Sequence, residues 1–259
     1  MSIIQTIRDK GAAIVIGVIA LSLIGFLLMD AKPGQGGIFG GGNSTVIGVV
    51  NGKDINLDEY NAKVKEAEAY PVLKVKVGLT TDEATIEAVR SATKKPLRVD
   101  ANEGWKDKDE AVRKINWLET QGVEFIEQPM PAHMLEDMNY IRKRVHMPII
   151  ADEACLHPQD IPKLANFFDG VNIKLDKCGG ILEGYRMIQI AKALGLKTML
   201  GCMISSSAAV TAAAHLSPLV DYADLDGNLL ISNEPYRGVL VVKGKLVLPP
   251  GPGLGLKKV

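Results

Sequence analysis

The sequence predicts an α/β fold: an incomplete (β/α) TIM-like barrel of about seven strand–helix units, preceded by an N-terminal transmembrane helix and a short linker segment. Three observations carry that expectation. Beyond Pro71, short apolar runs alternate with amphipathic runs of about 10–15 residues, the pattern of a parallel sheet covered by helices. Charged residues recur at the carboxyl ends of the strand-like runs about every 25 residues, at Lys76, Asp100, Glu127, Asp152 and Lys174, and Asp226 closes the series two units later. Residues 12–29, "AAIVIGVIALSLIGFLLM", carry no charge and approach the roughly 20 residues that the hydrocarbon core of a bilayer requires.

The chain has 259 residues, enough for one large α/β domain or two modest ones. Its 30 basic and 30 acidic side chains leave no net charge, which argues against nucleic acid as the main partner. Cys155, Cys178 and Cys202 stand singly, without the spacing of a metal knuckle. They read as reduced, mostly buried thiols and not as a disulfide framework.

Arg8 and Lys10 precede the apolar run, and no clear cleavage signal follows it. Residues 1–32 therefore read as an uncleaved signal-anchor with a cytoplasmic amino terminus. That reading implies a single-pass inner-membrane protein, tethered through residues 12–29 with its C-terminal part in the periplasm. The chemistry of the barrel alone suits the cytoplasm. Residues 33–44, "PGQGGIFGGGNS", form a glycine-rich linker. Residues 45–68 predict a hairpin turning at "NGK" and the start of a helix capped near Asn56 or Asp58, which Tyr70-Pro71 cuts off. The anchor and "VIGVVNGKDINLDEYNAKV" resemble the N-terminus of membrane-anchored periplasmic folding factors, the parvulin-associated peptidyl-prolyl isomerases. That resemblance implies client binding by residues 45–68, although no isomerase domain follows.

In "VLKVKVG", Lys74 and Lys76 alternate with valines, so both lysines share one face of a strand. The strand-like runs that follow are "PLRVDAN", "VEFIEQPM", "PIIADEA", "GVNIKLDK", "KTMLGCMI" and "YADLDGN"; between them lie helical runs such as "DKDEAVRKINWLETQG" and "LEGYRMIQIAKALG". Charges at one end of consecutive parallel strands converge on the rim where barrels carry their chemistry. Asp100, Glu127 and Asp152 on adjacent strands offer an all-oxygen pocket for a hard dication, and Mg2+ is favoured. Lys76 and Lys174 flank those acids from two sides. A lysine near a dication and a second lysine has its charged form disfavoured, so it can act as a base near neutral pH. Together these groups suit abstraction of a proton α to a carboxylate.

"LKVKVG", "LRVDANEGW", "FIEQPM", "IIADEA", "NIKLDKCGG" and "LGCMISSSAAVTAAAHL" resemble an enolase-superfamily barrel, within it the muconate-lactonising and dipeptide-epimerase branch. The resemblance runs from about residue 69 to 250 and divides the chain into a barrel at 69–235 and a tail at 236–259. It implies a Mg2+-dependent isomerase, an L-Ala-D/L-Glu-like dipeptide epimerase moving a proton at one α-carbon through an enediolate. By the resemblance, Lys76 and Lys174 are the acid/base pair and Lys74 stabilises the carboxylate or enolate. Asp100, Glu127 and Asp152 ligate one Mg2+, and Asn102 supports them. Asp224 and Asp226 of "DLDG" hold the α-ammonium group of a dipeptide substrate. The family's capping domain and first strand–helix unit do not precede Lys74, so the tail "GVLVVKGKLVLPPGPGLGL" lacks the sheet it would join. Ser205 stands where many relatives carry an acid, which leaves the substrate open. The anchor points to the envelope and the barrel to the cytoplasm, as a junction of two unrelated coding segments would. A membrane-anchored folding-factor fragment and a non-functional fusion remain as alternatives.

Overall fold

The computed structural model describes residues 67–259 together with a strand pair near the amino terminus, β1 (Val46–Val50) and β2 (Lys53–Asn56). These two strands pair antiparallel with Val50 opposite Lys53, the hairpin expected around "NGK". The predicted anchor at 12–29, the linker at 33–44 and most of the helix beginning at Asp58 lie outside the described residues. Among the described residues no helix is long and apolar enough to cross a membrane.

Seven strands form one sheet: β3 (Leu73–Lys76), β4 (Leu97–Asp100), β5 (Val123–Glu127), β6 (Ile149–Ala151), β7 (Gly170–Lys174), β8 (Lys197–Gly201) and β9 (Tyr222–Asp224). All pairings are parallel and the strand order is the sequence order. Helices α1 (Asp82–Ala92), α2 (Lys108–Thr120), α3 (Leu135–Arg142), α4 (Ile161–Leu164), α5 (Leu175–Cys178), α6 (Ile181–Ala193) and α7 (Ser207–Ala214) occupy the crossovers. The sheet curls until its two outer strands face each other: Lys74 of β3 donates to Asp224 Oδ2 of β9 at 2.9 Å. Among the described residues no backbone ladder joins β3 to β9, so the barrel is open along one line. The expected incomplete barrel of seven strands is thus found.

Alternation along the strands makes two apolar layers. Outward residues such as Leu97, Val99, Ile126, Ile149, Val171 and Ile173 pack on the helices in one continuous core. Inward, Phe125, Ile150 and Met199 form a small separate cluster with Tyr222 that plugs the lower barrel. Arg98 lies over the rings of Phe125 and Tyr222, at 5.3 and 4.8 Å from their centroids. Above the plug, the carboxyl ends of the strands bring the buried Asp100, Glu127, Asp152 and Asn172 together as a polar layer.

The helices follow local rules. Asp107 caps α2 by accepting from the Glu110 N–H at 2.8 Å, and Ala111, Ile115 and Leu118 bury one face at helical spacing. The run "PQDIPKLANFF" yields less helix than its sequence predicts: a single turn at Pro158–Asp160 and then the four residues of α4. Two prolines within five residues remove backbone donors there. The tail also departs from expectation, because its strands find partners in one another. β10 (Tyr236–Arg237) pairs with β13 (Lys257–Lys258), and β11 (Leu240–Val242) forms a hairpin with β12 (Lys245–Val247). The hairpin's glycine, Gly244 at φ +71, abuts Pro71 just ahead of β3. Leu240 nevertheless remains 61% exposed and Val242 48%.

Candidate active site

Register places the site. Lys76 aligns with Asp100 and Asp100 with Glu127, so three charged groups project inward at one level of the barrel. Lys74 Nζ lies 2.7 Å from Glu127 Oε2, 2.9 Å from Asp224 Oδ2 and 3.2 Å from Asp100 Oδ2. Lys76 donates to Asp100 Oδ2 at 2.6 Å and to Asn102 Oδ1 at 2.7 Å. On the other side of the barrel, Lys174 and Lys177 donate to the two oxygens of Asp152 at 2.9 and 2.8 Å. Asp100, Glu127 and Asp152 are essentially inaccessible, whereas the Lys76 side chain is 41% exposed at the rim.

Backbone geometry at the strand ends supports this layer. Asn102 and Glu103 adopt positive φ of 42° and 63°, turning the chain back so that the Asn102 N–H reaches Asp100 Oδ1 at 3.0 Å. Gln128, fully buried at φ 35°, accepts from the Asp152 and Ala154 N–H groups at 2.9 and 3.2 Å and so fixes the start of the loop after β6. Asn172 donates to Glu127 Oε1 at 2.8 Å, and Asn102 donates to Glu153 Oε1 at 3.1 Å.

The charges shape one another. Burial works against ionised Asp100, but Lys76 and Lys74 outweigh it and hold the carboxyl well below its usual range. Burial likewise opposes charge on Asp152, which Lys174 and Lys177 keep low. Glu127 behaves differently: burial and the charges of Asp100 and Asp152 push it up to about 7 despite Lys74. Burial and Asp152 raise Glu153 to about 7 as well. Lys74 and Lys174 are desolvated, yet their acidic neighbours raise both above the ordinary lysine value. Each of these two ammonium groups sits first of all against carboxylates.

The acids do not form a ready-made ion cage. Among the described residues no three acidic, histidine or cysteine groups gather closely enough to hold a metal. Lys74 stands between Asp100 and Glu127, while Asp152 is paired with Lys174 and Lys177. The donor chemistry still fits a hard dication, because every group is oxygen-bearing and buried, and the raised Glu127 marks a basin short of positive charge.

Of the two acids in "DLDG", Asp224 ends β9 and pairs with Lys74, whereas Asp226 lies beyond the strand with an exposed side chain. The acid that closes the series of strand ends is therefore Asp224, because β9 stops one pleat earlier than the spacing suggested. Burial and the charge of Asp224 raise Asp226, so the two acids are electrostatic neighbours. Ser205 donates to Asp176 Oδ1 at 3.0 Å across the rim. The sequence reading did not single out Lys177, Glu153, Gln128 or Asn172. Lys177 lies one short turn after Lys174 and Glu153 directly follows Asp152, so adjacency to the strand-end series was the available signal.

Residues 58–258 match the sequence profile described as enolase C-terminal domain-like. The chain belongs to that family. Residues 4–93 match a second profile, a SurA-like N-terminal domain, which overlaps the first across β3 and α1. The L-Ala-D/L-Glu epimerase of Bacteroides thetaiotaomicron is 46% identical over 203 residues, covering 78% of this chain and 53% of its own length. Two solved structures of family members share the fold. The substrate-liganded L-Ala-D/L-Glu epimerase from Bacillus subtilis is 31% identical with a TM-score of 0.71, covering 77% of this chain and 59% of that one. The dipeptide epimerase from Cytophaga hutchinsonii, complexed with Mg and D-Ala-L-Val, is 28% identical with a TM-score of 0.71, covering 78% and 58%. The chain thus spans little more than half the length of the family members it matches.

Proposed function

We propose that the chain is an isomerase of the dipeptide-epimerase type, transferring a proton at the α-carbon of a dipeptide related to L-Ala-D/L-Glu. The supporting observation is the facing of Lys76 on β3 and Lys174 on β7 across a floor of three buried carboxylates. In one direction the Lys76 amine takes the α-proton as the C–H bond breaks. The Lys174 ammonium, maintained by Asp152 and Glu127, then delivers a proton to the opposite face and inverts the centre. Lys74, within reach of Asp100, Glu127 and Asp224, faces the negative charge that develops on the substrate carboxylate. Mg2+ held by Asp100, Glu127 and Asp152 would supply the positive charge that stabilises the enediolate. Asp224 and Asp226 receive the substrate ammonium group.

Incubating the full-length chain with L-Ala-L-Glu and Mg2+ in D2O tests this reading. Deuterium entering the glutamate α-position is the expected result, and a chain that incorporates none would remove it. The SurA-like profile over residues 4–93 favours a second activity, client binding by residues 45–68. Suppression of client aggregation that persists after loss of both Lys76 and Lys174 would support it.

A further inference from the structure

Beneath the rim next to Lys76 lies a buried polar cluster that the proposed chemistry does not use. Asp82 is 4% exposed and Lys114 6%. All of the Asp82 acceptor positions are engaged. Its Oδ1 accepts from the Gly78 and Leu79 N–H groups, each at 2.8 Å. Its Oδ2 accepts from the Trp105 indole at 2.9 Å and from Lys114 at 2.8 Å. Lys114 also donates to the Leu79 carbonyl at 3.0 Å and lies 5.3 Å from the Trp105 ring centroid. Buried ion pairs of this kind are a weak source of stability but a strong source of fixed geometry when every hydrogen bond is made.

The two segments joined by this carboxylate carry the two ends of one active-site contact. Gly78 and Leu79 continue directly from β3 and so from Lys76. Trp105 lies in the loop that carries Asn102. Lys76 and Asn102 meet at 2.7 Å. Between the clamp and that contact the backbones touch without slack: a Cβ on Gly104 would fall 2.4 Å from the Gly78 Cα. The Val77 N–H is bound to the Asp100 carbonyl at 2.8 Å and the Gly104 N–H to the Ala101 carbonyl at 2.8 Å. β3 has a strand neighbour on one side only among the described residues, so the clamp adds to the pairing with β4 and to the Asp100 contact in fixing the height of Lys76.

We propose that Asp82, with Lys114 as its counter-ion and Trp105 as its link to the neighbouring loop, is a positioning residue that sets Lys76 against Asn102. The role rests on the acid/base reading of Lys76 given above. It is specific to one wall of the barrel, because Lys174 on β7 draws its position from Asp152 and lies outside the clamp. Asp82→Asn keeps the shape but replaces two acceptor lone pairs with donors that oppose Trp105 and Lys114 or the Gly78 and Leu79 N–H groups.

The experiment compares wild type, Asp82→Asn and Trp105→Phe as full-length chains with Mg2+, following α-proton exchange from L-Ala-L-Glu and from L-Ala-D-Glu in D2O. Competitive acetylation of Lys76 and Lys174 by acetic anhydride, read by mass spectrometry, reports amine environment without any turnover. Asp82→Asn should slow exchange from the enantiomer that depends on Lys76 by at least about tenfold with little change in KM, while the other enantiomer changes by less than about twofold. It should also raise the acetylation of Lys76 relative to Lys174. Trp105→Phe, which keeps the packing, should show the same asymmetry to a smaller degree. Equal losses for both enantiomers, or an unaltered acetylation ratio in both variants, would overturn the proposal. Wild type without exchange but with the shifted acetylation ratio would reject the epimerase reading and leave the clamp standing.

Discussion

Replacing Glu127 with glutamine tests the electrostatics of the basin directly. Burial and the charges of Asp100 and Asp152 raise this carboxyl from 4.5 to about 7. The folded chain therefore binds the proton more tightly than the unfolded chain does. Stability from this group is fully present below about 4.5, falls as pH rises to about 7, and is flat beyond. The gap between the two values corresponds to about 3 kcal/mol at 1.36 kcal/mol per unit. Urea denaturation in metal-free buffer from about pH 4 to 8 would follow that loss in wild type. In Glu127→Gln the slope contributed by this residue disappears. Lys74 attracts only the ionised carboxylate and already enters the value of about 7, so loss of that contact is part of the same pH-dependent difference between the two curves. A divalent cation favours the ionised carboxylate, so saturating Mg2+ should flatten the wild-type curve and leave the variant curve little changed. Parallel curves for the two proteins without metal would refute the reasoning.

Lys76→Ala and Lys174→Ala should each abolish net epimerisation yet lose deuterium exchange with opposite enantiomers, read by NMR; identical residual profiles would leave one lysine a purely electrostatic role. Lys95 donates to the carbonyls of Ala67, Glu68 and Tyr70 at 2.9, 2.9 and 2.8 Å, so Lys95→Ala should cost about 1–2 kcal/mol in urea melts and hasten proteolysis around residues 67–71. Replacing Leu240 and Val242 of the exposed hairpin by threonine should reduce light scattering at high concentration while moving the melting temperature by less than about 2 °C.

The barrel was legible because its signals are periodic. "LKVKVG" announces both a strand and an inward face, and acids at the ends of the following runs fix the phase of the rest. The same periodicity misplaced the last acid, since strand length at β9 is set by pairing with β8 and not by spacing. The clamp was hidden for a different reason. Asp82 reads as an acid in the first turn of a helix and Lys114 as a solvated helix residue, and only three-dimensional packing joins them across 32 positions. The direction of the lysine shifts was equally inaccessible, because it depends on ammonium-to-carboxylate distances within about an ångström. For the tail, sequence shows apolar alternation but not which strand it pairs with, and here it folded back on itself.

The ion pair between Lys74 and Asp224 bridges 150 positions of sequence, whereas each strand of the sheet otherwise pairs with the next one in the chain. A chain emerging from the ribosome can thus add one strand–helix unit after another, each meeting a neighbour already in place. The charged basin is the exception. Lys74 can meet Asp100 and Glu127 once β4 and β5 are in place, and only its third carboxylate, Asp224, arrives with β9. In that order of assembly the charge network is completed last, when Asp224 reaches Lys74. A nascent or clipped product ending before Asp224 would hold much of the hydrophobic core and lack the completed charge network.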